Sequence, residues 1–218
     1  MTQQALTPTL APSARQRRLW LTGSAAALVG VAAGWVRPAL AASLAPTPSQ
    51  TEGPLYPVQL PTDSDADLLR TGSLAYRRGT ELDLQGTVVD VDGVPVSGAA
   101  VEIWQCDEQG HYHHPGDGGR ADPAFQGFGR VSIGRDGAYR FRTIRPAAYS
   151  GRTPHIHFKV RLGAHELLTT QMYVQGDPGN ERDGLWRRLS AAQRAALTVP
   201  LSRSGAGWQG RFPIVVVA

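Results

Sequence analysis

Apolar and polar positions begin to alternate at about Glu81, where LDLQGTVVDV reads as a β-branched strand. The VDGVPVSG that follows is turn chemistry, carried by Asp92-Gly93, Pro95 and Gly98. AAVEIWQC is the next strand, with Val101, Ile103 and Gln105 on one face and Glu102, Trp104 and Cys106 on the other. GRVSIG and GAYRFRTI predict two short strands joined as a hairpin around Arg135-Asp136-Gly137. HIHFKVR and ELLTTQMYV predict a strand pair joined at Gly163-Ala164, and RFPIVVV a closing strand. LWRRLSAAQRAAL is the one helical stretch, short and near the C-terminus. From Asp107 to Gly127 runs a loop of about twenty residues, dense in His, Gly, Asp and Pro. A loop of that length in a compact domain is usually functional or disordered. Seven or more short strands with frequent turns predict an all-β sandwich over residues 81–218, with long loops at its site.

Ahead of the alternation the pattern is different. ALAPTPSQTEGPLYPVQLPTDSD is Pro-rich and aperiodic, and predicts an extended arm over residues 42–80 that drapes across the domain. Within it DADLLRTGSLAYRRGT reads as a loop or short helix. Residues 1–41 have the layout of an export signal: a basic RQRR cluster, the mildly apolar LWLTGSAAALVGVAAGWV, and a small-x-small site at Ala39-Leu40-Ala41. Arg17-Arg18 followed by Leu19 resembles a twin-arginine signal, so the expectation is export to the periplasm or beyond the cell. An uncleaved membrane anchor is the alternative reading, since 18 residues is borderline for a span.

Composition fits a turn-rich β protein, with Gly 25 and Pro 16. The net charge of +4 does not mark an anionic partner. Arg15, Arg17, Arg18 and Arg37 are the only charged residues before position 42, which leaves 18 basic and 18 acidic residues in the rest. The folded part is formally neutral and carries no nucleic-acid footprint. Cys106 is the only cysteine, so no disulfide forms within the chain.

The candidate chemistry is concentrated in YSGRTPHIHFKVRLGAHELLTTQ, residues 149–171. His155 and His157 are one residue apart in a strand, so both imidazoles leave the same face and aim at one point. Tyr149 and Arg152 precede them closely, and GHYHHPGD brings Tyr112 in the long loop. Two imidazoles with two phenolates form a hard, anionic set suited to a trivalent ion such as iron(III). Plainer readings remain for each residue. A tyrosine near a turn is commonly a packing residue, Arg152 can pair with a surface carboxylate, and His111, His113 and His114 read as solvated. A cupin-like clamp wants a carboxylate soon after the histidine pair, and Glu166 is displaced from that position. Trp186 and Trp208 suit either an oligomer surface or the core.

GTVVDVDGVPVSGAAVEIWQCDEQGHYHH, RTPHIHF and TTQMYVQGDP together resemble the intradiol ring-cleaving catechol dioxygenases over roughly Thr51 to Asp177. The resemblance implies a transthyretin-like (prealbumin-like) β-sandwich with one non-haem iron(III) per chain, bound by two tyrosinates and two histidines. By motif, Tyr112 and Tyr149 would be the tyrosinates, His155 and His157 the imidazole ligands, and Arg152 and Gln171 the active-site arginine and glutamine. The implied substrates are a catechol and O2, the ring opening between its hydroxyl-bearing carbons to a cis,cis-muconate-type diacid. TEGPLYP is expected beside the substrate pocket, and Leu55 stands where catechol-type members carry leucine. The helical N-terminal domain of the catechol and hydroxyquinol branches has no counterpart, and Ser150-Gly151 replaces a longer insert of the protocatechuate enzymes. A homo-oligomer is compatible with these features. The second reading is a non-catalytic prealbumin-like module that binds carbohydrate or protein, which GTVVDVDGVPVSGAAVEIW also resembles.

Overall fold

The structure, a computed structural model, describes residues 43–218. The export-signal expectation for residues 1–41 lies outside the described residues. In chain order the strands and helices are β1 (Arg70–Thr71), β2 (Leu74–Ala75), β3 (Glu81–Asp90), β4 (Ala100–Trp104), β5 (Phe128–Ser132), β6 (Ala138–Ile144), β7 (His155–Leu162) and β8 (His165–Val174). There follow α1 (Gly184–Arg187), α2 (Ala191–Leu197), β9 (Thr198–Val199), β10 (Leu201–Ser204), β11 (Gly207–Arg211) and β12 (Ile214–Val216).

Two five-stranded sheets share one core. In the first, β3 pairs antiparallel with β6 and, along successive stretches, parallel with β11 and β12. The break between those stretches falls at Pro213, which has no N–H to continue a ladder. There the Phe212 carbonyl accepts the Tyr139 hydroxyl and presses against Gly86, where a Cβ would sit 2.1 Å from that oxygen. Only glycine fits. The second sheet has the order β5-β4-β7-β8-β9. Leu82, Leu84 and Phe141 from the first sheet pack with Ile103, Ile156 and Phe158 from the second, all fully buried. The rings of Phe158 and Phe212 stand 4.9 Å apart across that core.

Three local expectations are corrected. The strands around Arg135-Asp136-Gly137 are not a hairpin: β5 pairs with β4 in one sheet and β6 with β3 in the other. The turn crosses between sheets, with Ile133 N–H donating to Ala99 O and Gly137 O accepting from Val88 N–H. Tight-turn residues fix the local change of direction, whereas burial decides the partner. The single C-terminal helix is two, because Ser190 interrupts it with a capping box, accepting from Gln193 N–H and donating its own N–H to the Gln193 side chain. The segment read as loop or short helix holds the two-residue strands β1 and β2 instead. Trp186 is buried in the core, and Trp208, partly buried, packs against it.

At β7 the outer face of the second sheet is buried as thoroughly as its inner face, every residue from His155 to Val160 being covered. The arm is what covers it. Glu52 pairs with Lys159, the Tyr56 ring meets Trp104 edge-on at 4.9 Å, and Gln171 Nε2 donates to Thr51 O (2.9 Å). Strand register sorts the covered face into rows. Phe128, Trp104, His157 and Gln171 lie side by side in one, and Arg130, Glu102, Lys159 and Thr169 in the next.

Candidate metal centre

His155 Nδ1 lies 2.6 Å from Thr153 O. A carbonyl only accepts, so Nδ1 carries the proton and Nε2 presents a bare lone pair. That Nε2 stands 3.1 Å from His157 Nε2, the spacing of neighbouring nitrogens on one ion at metal–nitrogen lengths of about 2.1 Å. Trp104, opposite His157 in the β4–β7 register, stacks on it with centroids 4.7 Å apart and planes at 12°. Both imidazoles are held neutral. Burial, then the nearby Arg152 charge, lowers His155 to about 4. Burial, His155 and Arg152 put His157 well below its usual value.

Tyr112 reaches the pair from the long loop, which is ordered by two carboxylates. Asp107 accepts from the N–H groups of Gln109, His111 and Asp122, and Asp117 from Tyr112 N–H (2.9 Å). The His113 ring, expected in solvent, bonds Phe125 O through Nε2 although the residue is exposed. The Tyr112 ring is 6.2 Å from that of His157 and 4.9 Å from that of Tyr149. Tyr149 lies 5.5 Å from the His155 ring. A tight turn through Ser150 (φ 44°) and Gly151 (φ 75°) folds Tyr149 back over Arg152, whose N–H donates to Tyr149 O at 2.7 Å. Ser150 is the only non-glycine residue with positive φ among the described residues, a local strain at the base of the site.

Arg152 is fixed from two sides. Its Nε donates to Asp183 Oδ2 and its Nη2 to Gln171 Oε1, both at 2.7 Å. Gln171 Nε2 donates in turn to Thr51 O of the arm (2.9 Å), and the Tyr173 hydroxyl bridges Gln50 and Gln171. Asp183, fully buried, also caps α1 through the N–H groups of Leu185 and Trp186. Leu55, half-buried, packs on the cluster of Trp104, Cys106, Tyr112 and Phe128. It also lines a mainly apolar cavity of about 460 Å³ shared with Pro57, Trp104, Tyr112, Phe125 and Phe128. A more polar cavity of about 480 Å³ lies along Tyr149, Arg152 and Arg182. All seven residues picked from sequence thus lie on one covered sheet face and its flanking loops. Sequence reasoning missed Trp104, Asp183, Thr153 and Tyr173. The β4–β7 register would have found Trp104, and the Asp-Gly-Leu-Trp helix start would have marked Asp183 as a cap.

The donor set fits a metal ion. The Tyr112 hydroxyl is buried beside the imidazoles without any hydrogen-bond partner, an unmet bonding capacity that an ion at the shared point would fill. Burial pushes the Tyr112 phenol well above its usual pKa, with Cys106 and Tyr149 adding to the effect, and burial raises Tyr149 despite the opposing Arg152 charge. Neither phenol ionises there without a strong cation beside it. Among the described residues no three His, Cys, Asp or Glu side chains gather as a metal site. Glu166, the carboxylate a cupin-like clamp would need, is engaged with Lys159 and the Thr169 hydroxyl. The side chains beside the histidines that could complete such a set are the two tyrosines. Cys106 is no competitor: burial lifts its thiol to about 12, and its S–H faces Ala147 O.

The chain is similar to known proteins in both sequence and fold. A family model described as "Dioxygenase" matches residues 51–205. The chain is 35% identical over 150 residues to catechol 1,2-dioxygenase of Acinetobacter baylyi, covering 61% of this chain and 47% of that protein. It is 38% identical over 130 residues to the protocatechuate 3,4-dioxygenase beta chain of Burkholderia cepacia, covering 55% of each. Among solved structures, the dioxygenase domain of a dioxygenase–carbohydrate-binding fusion from Streptomyces sp. SirexAA-E matches with a TM-score of 0.63. That pair is 34% identical, over 80% of this chain and 100% of the other. The chain belongs to the intradiol ring-cleavage dioxygenase family. It spans about half the length of the curated relatives it matches.

Proposed function

We propose that this protein is an iron(III)-dependent intradiol dioxygenase that opens a catechol ring between its hydroxyl-bearing carbons with O2, giving a cis,cis-muconate-type diacid. The observation that carries the reading is the buried, unpartnered Tyr112 hydroxyl beside two neutral imidazoles whose Nε2 atoms converge at 3.1 Å. Tyr112, Tyr149, His155 and His157 would hold the ion. Bound there, ferric iron would supply Lewis acidity, making the phenols anionic and a chelating catechol electron-rich enough to react with dioxygen.

The chain's own residues divide the remaining work. Tyr149, less buried than Tyr112 and next to a strained turn, would with the ion bound be the phenolate placed to take a catechol proton on Oη. Arg152 holds a permanent charge in a fixed orientation between Asp183 and Gln171, and stabilises negative charge developing on the ring. Gln171, held by Thr51 O, keeps Arg152 in that orientation. Leu55 and the arm exclude water and present an apolar wall, which favours an uncharged catechol. The two packed sheets support the transthyretin-like form of sandwich, and the protomer alone is compatible with a homo-oligomer. The binding-module reading has no use for a buried, unpartnered phenol beside a His pair.

The test is turnover of catechol by the iron-loaded protein. One O2 consumed per catechol, with a diacid as product, is the expected result, whereas absence of oxygen uptake with iron bound would refute the reading. Export through the N-terminal segment belongs to the same proposal, supported by the Arg17-Arg18 signal layout. Replacing both arginines with lysine is expected to hold the precursor in the cytoplasm, and fractionation showing undiminished export would instead indicate the general secretory route.

A further inference from the structure

We propose that Lys159 is a positioning residue for substrate recognition, fastening the arm so that Leu55 and the Thr51 carbonyl stand fixed beside the His157 row. Lys159 is the only lysine among the chain's 22 basic residues. It lies two residues past His157 on the same strand face, and is 3% exposed. Its Nζ pairs with Glu52, lies 3.2 Å from Glu166 Oε2, and sits 4.0 Å from the centroid of the Tyr56 ring. Tyr56 donates its hydroxyl to Glu102 (2.8 Å), the buried carboxylate opposite Lys159 in the β4–β7 register. The Tyr56 ring also meets Trp104 edge-on at 4.9 Å.

An ammonium that leaves water is destabilising unless its partners replace the lost hydration. Glu52 and Tyr56, two of the three partners here, belong to the arm, so Lys159 is fully satisfied only when the arm lies on the sheet. Docking of the arm and pairing of Lys159 are therefore one equilibrium. Between Glu52 and Tyr56 run Gly53, Pro54 and Leu55. A Cβ at Gly53 would be 3.7 Å from His157 Cε1, so this stretch passes directly over the histidine row. Leu55 is thereby pressed onto Trp104 and Tyr112, and the chain continues as one wall of the 460 Å³ cavity through Pro57, Gln59 and Pro61. The Lys159 contacts set the position of the wall that ring substituents of a catechol would meet. That consequence rests on the dioxygenase reading, while the fastening itself does not.

The chain's single lysine makes the fastening measurable. Full-length protein is treated with an amine-acylating reagent, and Lys159 modification is read by peptide mass spectrometry in native and urea-unfolded protein. Native Lys159 is expected to react at least ~10-fold more slowly than in the unfolded chain. Glu52→Gln, at a partly exposed arm position that leaves Glu166 in place, is expected to speed native labelling about tenfold and to raise deuterium exchange at the Gln50 amide. In iron-loaded enzyme the same variant should raise KM for a 4-alkylcatechol about tenfold while KM for catechol moves less than ~3-fold. Native labelling as fast as in the unfolded chain, or labelling and exchange unchanged by Glu52→Gln, would overturn the fastening. Faster labelling with an unchanged ratio of the two KM values would overturn the role in recognition. A wild-type protein inert toward every catechol would count against the dioxygenase reading alone, since labelling is independent of turnover.

Discussion

A His157→Ala protein is expected to fold, to retain at least ~100-fold less iron than the wild type, and to lose ring cleavage with it. Even residues that only orient metal ligands change affinity by about 10–100-fold, so loss of one of two imidazole donors should exceed that range. His157 is the more informative of the pair because its Nε2 has no role except toward His155 and the shared point both address. Its ring also fills space against Trp104, and the truncation should cost about 2–4 kcal/mol of stability through the cavity it leaves. Metal analysis beside a thermal unfolding curve separates the two effects. Stoichiometric iron in the variant would place the binding site elsewhere.

The second large effect is expected at Arg152. Arg152→Gln should lower kcat by about 10²–10³ while iron content and its absorption stay near wild type, because the guanidinium acts on developing charge rather than on the metal. The variant also leaves Asp183 fully buried without its cation, a loss of roughly 3 kcal/mol. Burial pushes the Asp183 carboxyl up, but donation from Trp186 N–H, Thr153 N–H and Arg152 outweighs it, and the net direction is down. A carboxyl lowered in the folded state contributes stability above its unfolded pKa of about 3.9, and that stability is lost as pH falls through the lowered value. With Arg152 removed the Asp183 pKa rises, so acid unfolding should begin at higher pH in the variant. An unaltered rate would sink the role assigned to Arg152, whatever the acid titration shows.

The parts of the site legible in sequence were those set by short-range geometry. A strand's period of two is stiff, so His155 and His157 had to share a face, and Tyr149 and Arg152 had to sit near them across one tight turn. Contacts made by register were not legible. Trp104 meets His157, and Glu102 meets Lys159, only because β4 pairs with β7, fifty residues later in the chain. The hairpin predicted around Asp136 failed for a related reason, since its residues specify a turn and not the sheets that Phe128 and Phe141 join. Two-sided burial of the second sheet was hidden as well. The two faces of AAVEIWQC are legible from its alternation, yet a lysine such as the one in HIHFKVR ordinarily faces water, and it is the Pro-rich arm that changes its surroundings. The one sequence signal was that the sole lysine stands two residues past a His-x-His pair.

The central claim is that Tyr112, Tyr149, His155 and His157 together hold ferric iron that a catechol can reach. Its most direct test is the visible spectrum of the iron-loaded protein, recorded without oxygen before and after catechol is added. The expected result is a broad tyrosinate-to-iron charge-transfer band that moves to longer wavelength on addition of catechol and is lost in Tyr112→Phe. An iron-replete protein that is colourless, or whose band ignores both catechol and the Tyr112 substitution, would contradict the ligand set.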